Sequence, residues 1–312
     1  MARGKEWVHI TDVGPRDGLQ NQAQILTIEQ RLQLIHGLTK AGVKSIEVGS
    51  FVSPKAVPAM AGTDQVIQQL SHFDDGVQYQ ALIPNLKGYQ LAQQAGAKSL
   101  LLVVCASQTM NQKNIRMSVE ESIVQAQDII ALAKKDGIEV LVCIAVAWEC
   151  PFEGKTDIDT VLTLAHQLRM AGADKLVFAD TIGAANPLQV KALMQPVIEE
   201  YGSDIIGCHF HDTRAMGMAN VYAAIEAGVR QFDASVGGLG GCPFAPGTTG
   251  NVATEDVVMM LAQMGFETGI DLLRLMEVGQ LAGDLCQVSS GGRASAWRHL
   301  QLKRNFNFSS EF

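Results

Sequence analysis

The chain lacks any apolar stretch long enough to cross a bilayer. Runs such as Ser99–Ala106 and Glu139–Ala147 fall far short of the ~20 residues a spanning helix requires. A block of Lys and Arg is also missing. With 24 Lys+Arg against 32 Asp+Glu the net charge is −8, which argues against a dedicated nucleic-acid binder. Charged residues make up only 18% of the chain and hydrophobic ones 47%, a balance that excludes disorder. The six cysteines, Cys105, Cys143, Cys150, Cys208, Cys242 and Cys286, form no Cys-x-x-Cys pair, so a thiolate zinc site is not expected. The opening Met1-Ala-Arg-Gly-Lys-Glu-Trp7 runs straight into Trp7–Ile10 without a signal-peptide core, and a cytoplasmic location is the expectation. No Pro/Ser-rich linker divides the sequence.

What is present is a rhythm. Eight apolar, strand-like runs recur: Val8–Asp12, Ser45–Val48, Tyr79–Leu82, Ser99–Val104, Val140–Ala145, Leu176–Asp180, Ile206–Phe210 and Phe232–Ser235. Near-continuous apolar runs suit strands buried on both faces of a parallel sheet. Between them lie helical patterns. Thr27–Ala41 opens on a capping box, Thr27 with Gln30, and stops at Gly42. Ser118–Lys135 opens on Ser118 with Glu121 and stops at Gly137. Asp157–Ala171, Pro187–Tyr201, Met216–Ala227 and Thr254–Met264 follow, each closed by a glycine. Eight βα units in this length predict one TIM (β/α)8 barrel over about residues 7–265. A C-terminal helical extension over about 270–312 would complete a single domain spanning 1–312. It would hold a helix Asp271–Cys286, then a looser end. An open doubly wound sheet fits less well, because Gly14-Pro-Arg-Asp-Gly18 is not a dinucleotide fingerprint.

In such a barrel the chemistry sits at the C-terminal ends of the strands. After the first strand comes Arg16-Asp17, in a turn that ordinary turn chemistry also produces, followed by Gln20, Asn21 and Gln22. The seventh strand ends with His209-Phe210-His211. Residues i and i+2 of a strand face one side, so both imidazoles are directed to the mouth, where they suit a metal. Asp212 and Thr213 read as helix-capping types. A Gly-rich loop from Gly237 to Asn251 carries Cys242, a thiol placed within reach of substrate. Glu47 and Asp180 end two other strands, where a carboxylate is costly unless paired or bound. Asp17, His209, His211 and Asn251 form a mixed nitrogen and oxygen set that suits an octahedral Mg²⁺ or Mn²⁺. Such an ion polarises a carbonyl and acidifies a hydroxyl. With Arg16 to stabilise an enolate and a loop thiol to move a proton, the parts fit carbon–carbon bond chemistry.

These stretches resemble the 3-hydroxy-3-methylglutaryl-CoA lyase family, metal-dependent TIM-barrel lyases related to the isopropylmalate and homocitrate synthases. The likeness is carried by Val13-Gly-Pro-Arg-Asp-Gly-Leu-Gln-Asn21, Ser50-Phe-Val-Ser-Pro-Lys55, Cys150-Pro-Phe-Glu-Gly154, His209-Phe-His-Asp-Thr213, Gly238-Leu-Gly-Gly-Cys-Pro243 and Gly250-Asn-Val-Ala-Thr-Glu-Asp256. The resemblance implies cleavage of 3-hydroxy-3-methylglutaryl-CoA to acetoacetate and acetyl-CoA. It implies a divalent cation on Asp17, His209, His211 and Asn251, with Arg16 on the enolate. Cys242 would assist proton transfer, and Glu47 and Asp180 would support. Either Asp17 or His209 would take the hydroxyl proton. Gln20, Ser50 and Arg214 join Arg16 as expected substrate contacts, and a homodimer is implied. The sequence departs from the family at Arg214-Ala215, where Tyr-Gly is common, at Val48-Gly49, and at Ala145–Glu149. Those changes leave a related 3-hydroxyacyl-CoA, such as a citramalyl-type or longer-chain 3-hydroxyglutaryl thioester, as an alternative substrate. A condensing synthase is a further alternative.

Overall fold

The computed structural model describes residues 6–72, 76–241, 250–289 and 292–302. Eight parallel strands close into a barrel. In chain order they are β1 (His9–Asp12), β2 (Ser45–Ser50), β3 (Gln78–Leu82), β4 (Ser99–Cys105), β5 (Glu139–Ala145), β8 (Lys175–Asp180), β9 (Ile206–Phe210) and β10 (Gln231–Ala234), with the two-residue hairpin strands β6 (Glu149–Cys150) and β7 (Gly154–Lys155) inserted after β5. The last barrel strand pairs with the first, Asp12 beside Ala234. The TIM-barrel expectation therefore holds, and each apolar run predicted as a strand is one to within a residue or two.

The helices are α1 (Ile28–Lys40), α2 (Thr63–Leu70), α3 (Leu86–Gln94), α4 (Gln108–Ile115), α5 (Val119–Asp136), α6 (Ile158–Ala171), α7 (Pro187–Tyr201), α8 (Gly217–Glu226), α9 (Thr254–Gln263), α10 (Leu272–Cys286) and α11 (Arg293–Leu302). Both expected capping boxes form: Thr27 with Gln30 starts α1, and Ser118 with Glu121 starts α5. Outward-facing strand residues such as Ile46, Leu100, Phe178, Phe210 and Phe232 are buried under the helices. Among the described residues no helix is long and apolar enough to cross a membrane.

Within the looser end expected after α10, Arg293–Leu302 is helical. Asp256, in the first turn of α9, accepts hydrogen bonds from the backbone N–H groups of Arg293 and Ala294 at 2.9 and 2.7 Å. Those amides open α11, so a carboxylate from another helix satisfies donors that its own turn leaves bare.

Candidate active site

The turn after β1 is a single π-helical turn, Gly14–Gly18. Such turns are rare and often mark function. Its glycines are dictated by crowding. A Cβ on Gly14 would lie 2.8 Å from Asp12 Oδ1, and one on Gly18 would lie 2.9 Å from Ser235 Oγ. This tight turn seats Arg16 and Asp17 at the barrel mouth, where they are 8% and 7% exposed.

Asp17 gathers the site. Its Oδ1 accepts from Arg16 Nη1 at 2.6 Å and from Gln20 Nε2 at 2.8 Å. Its Oδ2 accepts from Asn251 Nδ2 at 2.7 Å. Burial raises the Asp17 pKa, but Arg16, His209 and His211 pull harder and leave it at about 2. His209 and His211 lie side by side, Nε2 to Nε2, at 3.1 Å. His211 Nε2 is 3.9 Å from Asp17 Oδ2. Burial and the neighbouring His209 depress the His211 pKa to about 4, so its ring is a neutral ligand type at neutral pH. A short backbone bridge ties His211 to Asn251.

This donor set fits a divalent cation. Asp17, His209 and His211 each offer a ligand atom, all within 4.8 Å of one another. Asn251 Oδ1 is buried and has no hydrogen-bond partner. A buried carbonyl oxygen left bare is costly, and it faces a need that an ion satisfies. A carboxylate, two imidazoles and an amide oxygen make a set suited to a hard or borderline ion.

The remaining expected residues divide. Glu47 is 2.7 Å from Arg16 Nη2 through Oε2. Burial pushes its pKa up to about 7, against the pull of Arg16. Asp180 accepts from the Ala184 and Ala185 backbone N–H groups at 2.8 and 3.1 Å, bracing the loop after β8. Burial raises it to about 6. Gln20 reaches the site through Asp17. Ser50 ends β2 with a buried, unpartnered Oγ. Arg214 is half-exposed and lies 3.6 Å from Glu149 on the hairpin, near enough to Asp180 for its charge to favour the ionised carboxylate. Asp212 accepts from the Gly217 N–H at 2.8 Å, the helix-starting role expected of it. Cys242 lies outside the described residues.

Two carboxylates of strands join those expected, Asp233 in β10 and Asp12 at the end of β1. Asp233 Oδ2 is 3.2 Å from His209 Nδ1. Asp12 accepts from Thr254 Oγ1 at 2.7 Å and from the Gly14 N–H at 2.9 Å. The signal was available, since a carboxylate amid buried strand residues needs a partner.

Comparison with known proteins supports the barrel fold and shows the family. The HMGL-like family model matches residues 7–282. A hydroxymethylglutaryl-CoA lyase of Pseudomonas mevalonii is 41% identical over 272 residues, covering 87% of this chain and 90% of that protein. An (R)-citramalyl-CoA lyase of Chloroflexus aurantiacus is 40% identical over 280 residues, covering 87% of this chain and 88% of its own length. The crystal structure of hydroxymethylglutaryl-CoA lyase from Pseudomonas aeruginosa superposes with a TM-score of 0.91 at 37% identity, covering 95% of this chain and 99% of that one.

Proposed function

Because the chain belongs to the HMGL-like family, we propose that it is a divalent-metal-dependent carbon–carbon lyase. It cleaves 3-hydroxy-3-methylglutaryl-CoA to acetoacetate and acetyl-CoA. The observation that carries this reading is the cluster of Asp17, His209, His211 and the bare Asn251 Oδ1 beside Arg16 at the barrel mouth. Asp17, His209, His211 and Asn251 would hold the ion, with Mg²⁺ or Mn²⁺ favoured by the donor types. When bound, the ion polarises the substrate's oxygens and acidifies its C3 hydroxyl.

The chain's own groups account for the rest. The C3 hydroxyl proton passes to a carboxylate or imidazole base, Asp17 or His209, within the same cluster. The C2–C3 bond then breaks. Its electron pair becomes the enolate of acetyl-CoA, and C3 becomes the ketone of acetoacetate. Arg16 is fixed by Asp17 on one side and Glu47 on the other, so its positive charge stands ready for the enolate oxygen without reorganisation. A proton delivered to C2 completes acetyl-CoA, and Cys242 is the assigned donor.

A second substrate reading has support of its own. The (R)-citramalyl-CoA lyase relative is nearly as similar, and the Arg214–Glu149 pair occupies positions where this chain departs from the common pattern. Assays of both thioesters with Mg²⁺ or Mn²⁺ decide. We expect acetyl-CoA release from 3-hydroxy-3-methylglutaryl-CoA, abolished by chelator and collapsed in Cys242→Ala. Full activity in both controls overturns the mechanism. Release from citramalyl-CoA alone overturns the substrate. A homodimer belongs to the same reading, and a solution mass near twice 33.5 kDa tests it.

A further inference from the structure

We propose that Asp233 is a positioning residue that holds His209 in the Nδ1–H tautomer, leaving Nε2 bare for the cation. The barrel register builds the contact. Asp233 of β10 is the direct partner of His209 of β9, and residues in register on adjacent parallel strands send their side chains to the same face, one interstrand spacing apart. The result is Asp233 Oδ2 3.2 Å from His209 Nδ1, with side chains only 14% and 11% exposed.

Elimination points the same way. The other buried carboxylates at the mouth are engaged elsewhere: Asp17 by Arg16, Gln20 and Asn251, Glu47 by Arg16, and Asp180 by two loop amides. Among the carboxylates of the described residues Asp233 faces the Nδ1 edge of His209, while the Nε2 edge faces His211 at 3.1 Å. A neutral imidazole carries one N–H, and the nitrogen that donates it cannot ligate. An acceptor fixed at Nδ1 therefore assigns the free lone pair to Nε2, and with that lone pair on the cation Asp17 is left as the base of the two candidates. Such a partner also orients the ring and raises the ligand's basicity.

The tautomer can be read in metal-free protein by nitrogen-15 NMR of labelled imidazoles, with His209 assigned by its loss in His209→Gln. We expect a protonated Nδ1 and a bare Nε2 in the wild type. A protonated Nε2 and bare Nδ1 would overturn the proposal. The metal half of the test rests on the functional reading above. Mn²⁺ titrations followed by electron paramagnetic resonance should show affinity falling ~10–100-fold in Asp233→Asn and recovering in part in Asp233→Glu. A folded Asp233→Asn protein with wild-type Mn²⁺ affinity overturns the positioning role. Should the wild type bind no Mn²⁺ and cleave no thioester, the functional reading falls, while the tautomer measurement still decides Asp233. That measurement also decides if Asp233→Asn does not fold.

Discussion

Asp17 and Glu255 are both buried carboxylates, yet their surroundings push them in opposite directions. Asp17, next to Arg16 and two imidazoles, sits at about 2. It stays ionised in the folded chain, so its contribution to stability is present above its ordinary value of 3.8 and is lost as pH falls toward 2. Glu255 accepts from the Gly237 N–H at 3.0 Å and from Ser295 Oγ at 3.2 Å, but burial dominates and raises it from 4.5 to about 7. Here the folded chain keeps a proton that the unfolded chain has released. Stability therefore falls as pH rises from about 4.5 to about 7. Glu255→Gln should flatten that decline, recovering up to ~3 kcal/mol at neutral pH. Melting temperatures across pH 4 to 8 check it: a decline as steep as that of the wild type would contradict the assignment.

Local backbone geometry makes two further predictions at the level of single elements. Ala215, between β9 and α8, adopts φ +56°, a left-handed conformation that costs a residue with a Cβ ~1–2 kcal/mol. It is exposed, so nothing packs on its methyl group in compensation. Ala215→Gly should stabilise the chain by up to ~1 kcal/mol, measurable by urea unfolding. The family's frequent glycine at this position then has a backbone explanation. Ser118→Ala removes the acceptor for the Glu121 N–H at the start of α5 and should cost ~1 kcal/mol, read in the same experiment. How much of each element was visible in the sequence follows from burial. Strands such as β4 (Ser-Leu-Leu-Leu-Val-Val-Cys) and β5 (Glu-Val-Leu-Val-Cys-Ile-Ala) are near-continuous apolar runs, and long helices such as α5 and α7 carry clear caps, so both were legible. Helices α2, α4 and α11 were not. They are short, and α4 (Gln-Thr-Met-Asn-Gln-Lys-Asn-Ile) has only Met110 and Asn111 buried, too little apolar surface for a periodic stripe. The hairpin of β6 and β7 has two residues in each strand, below the length at which alternation can be seen. At the site, residue types and strand-end positions were enough to collect Asp17, His209, His211 and Asn251. Asp233 is marked in the sequence as a carboxylate on a strand, but its partner is not, because the pairing with His209 comes from the register of β10 on β9, which no local pattern encodes.

For the molecule as a whole, ligand binding and stability are linked. An ion that binds only the folded site raises stability with its concentration, by ~2.7 kcal/mol at a hundredfold excess over its dissociation constant. The melting temperature should therefore climb with added Mn²⁺ or Mg²⁺ and return on chelation. Asp17→Asn, which removes a charged ligand and the ion pair with Arg16, should abolish most of the climb. An equal climb in that variant would show that the stabilising ion binds elsewhere.

The hydrogen bond from Asn251 to Asp17 joins groups 234 residues apart, across the seam where β10 meets β1. This has a consequence in time. During synthesis the first ligand emerges long before the last, and no partial chain ending before Asn251 holds the full set. Since chain order places the site's two halves at opposite ends of the barrel, ion capture would report the moment of closure. A nascent chain loses the loop entropy of that closure before the clasp can form. Metal uptake should then follow the slowest, most non-local step of folding, and an ion added early should raise the yield of closed barrels without accelerating the collapse that precedes them.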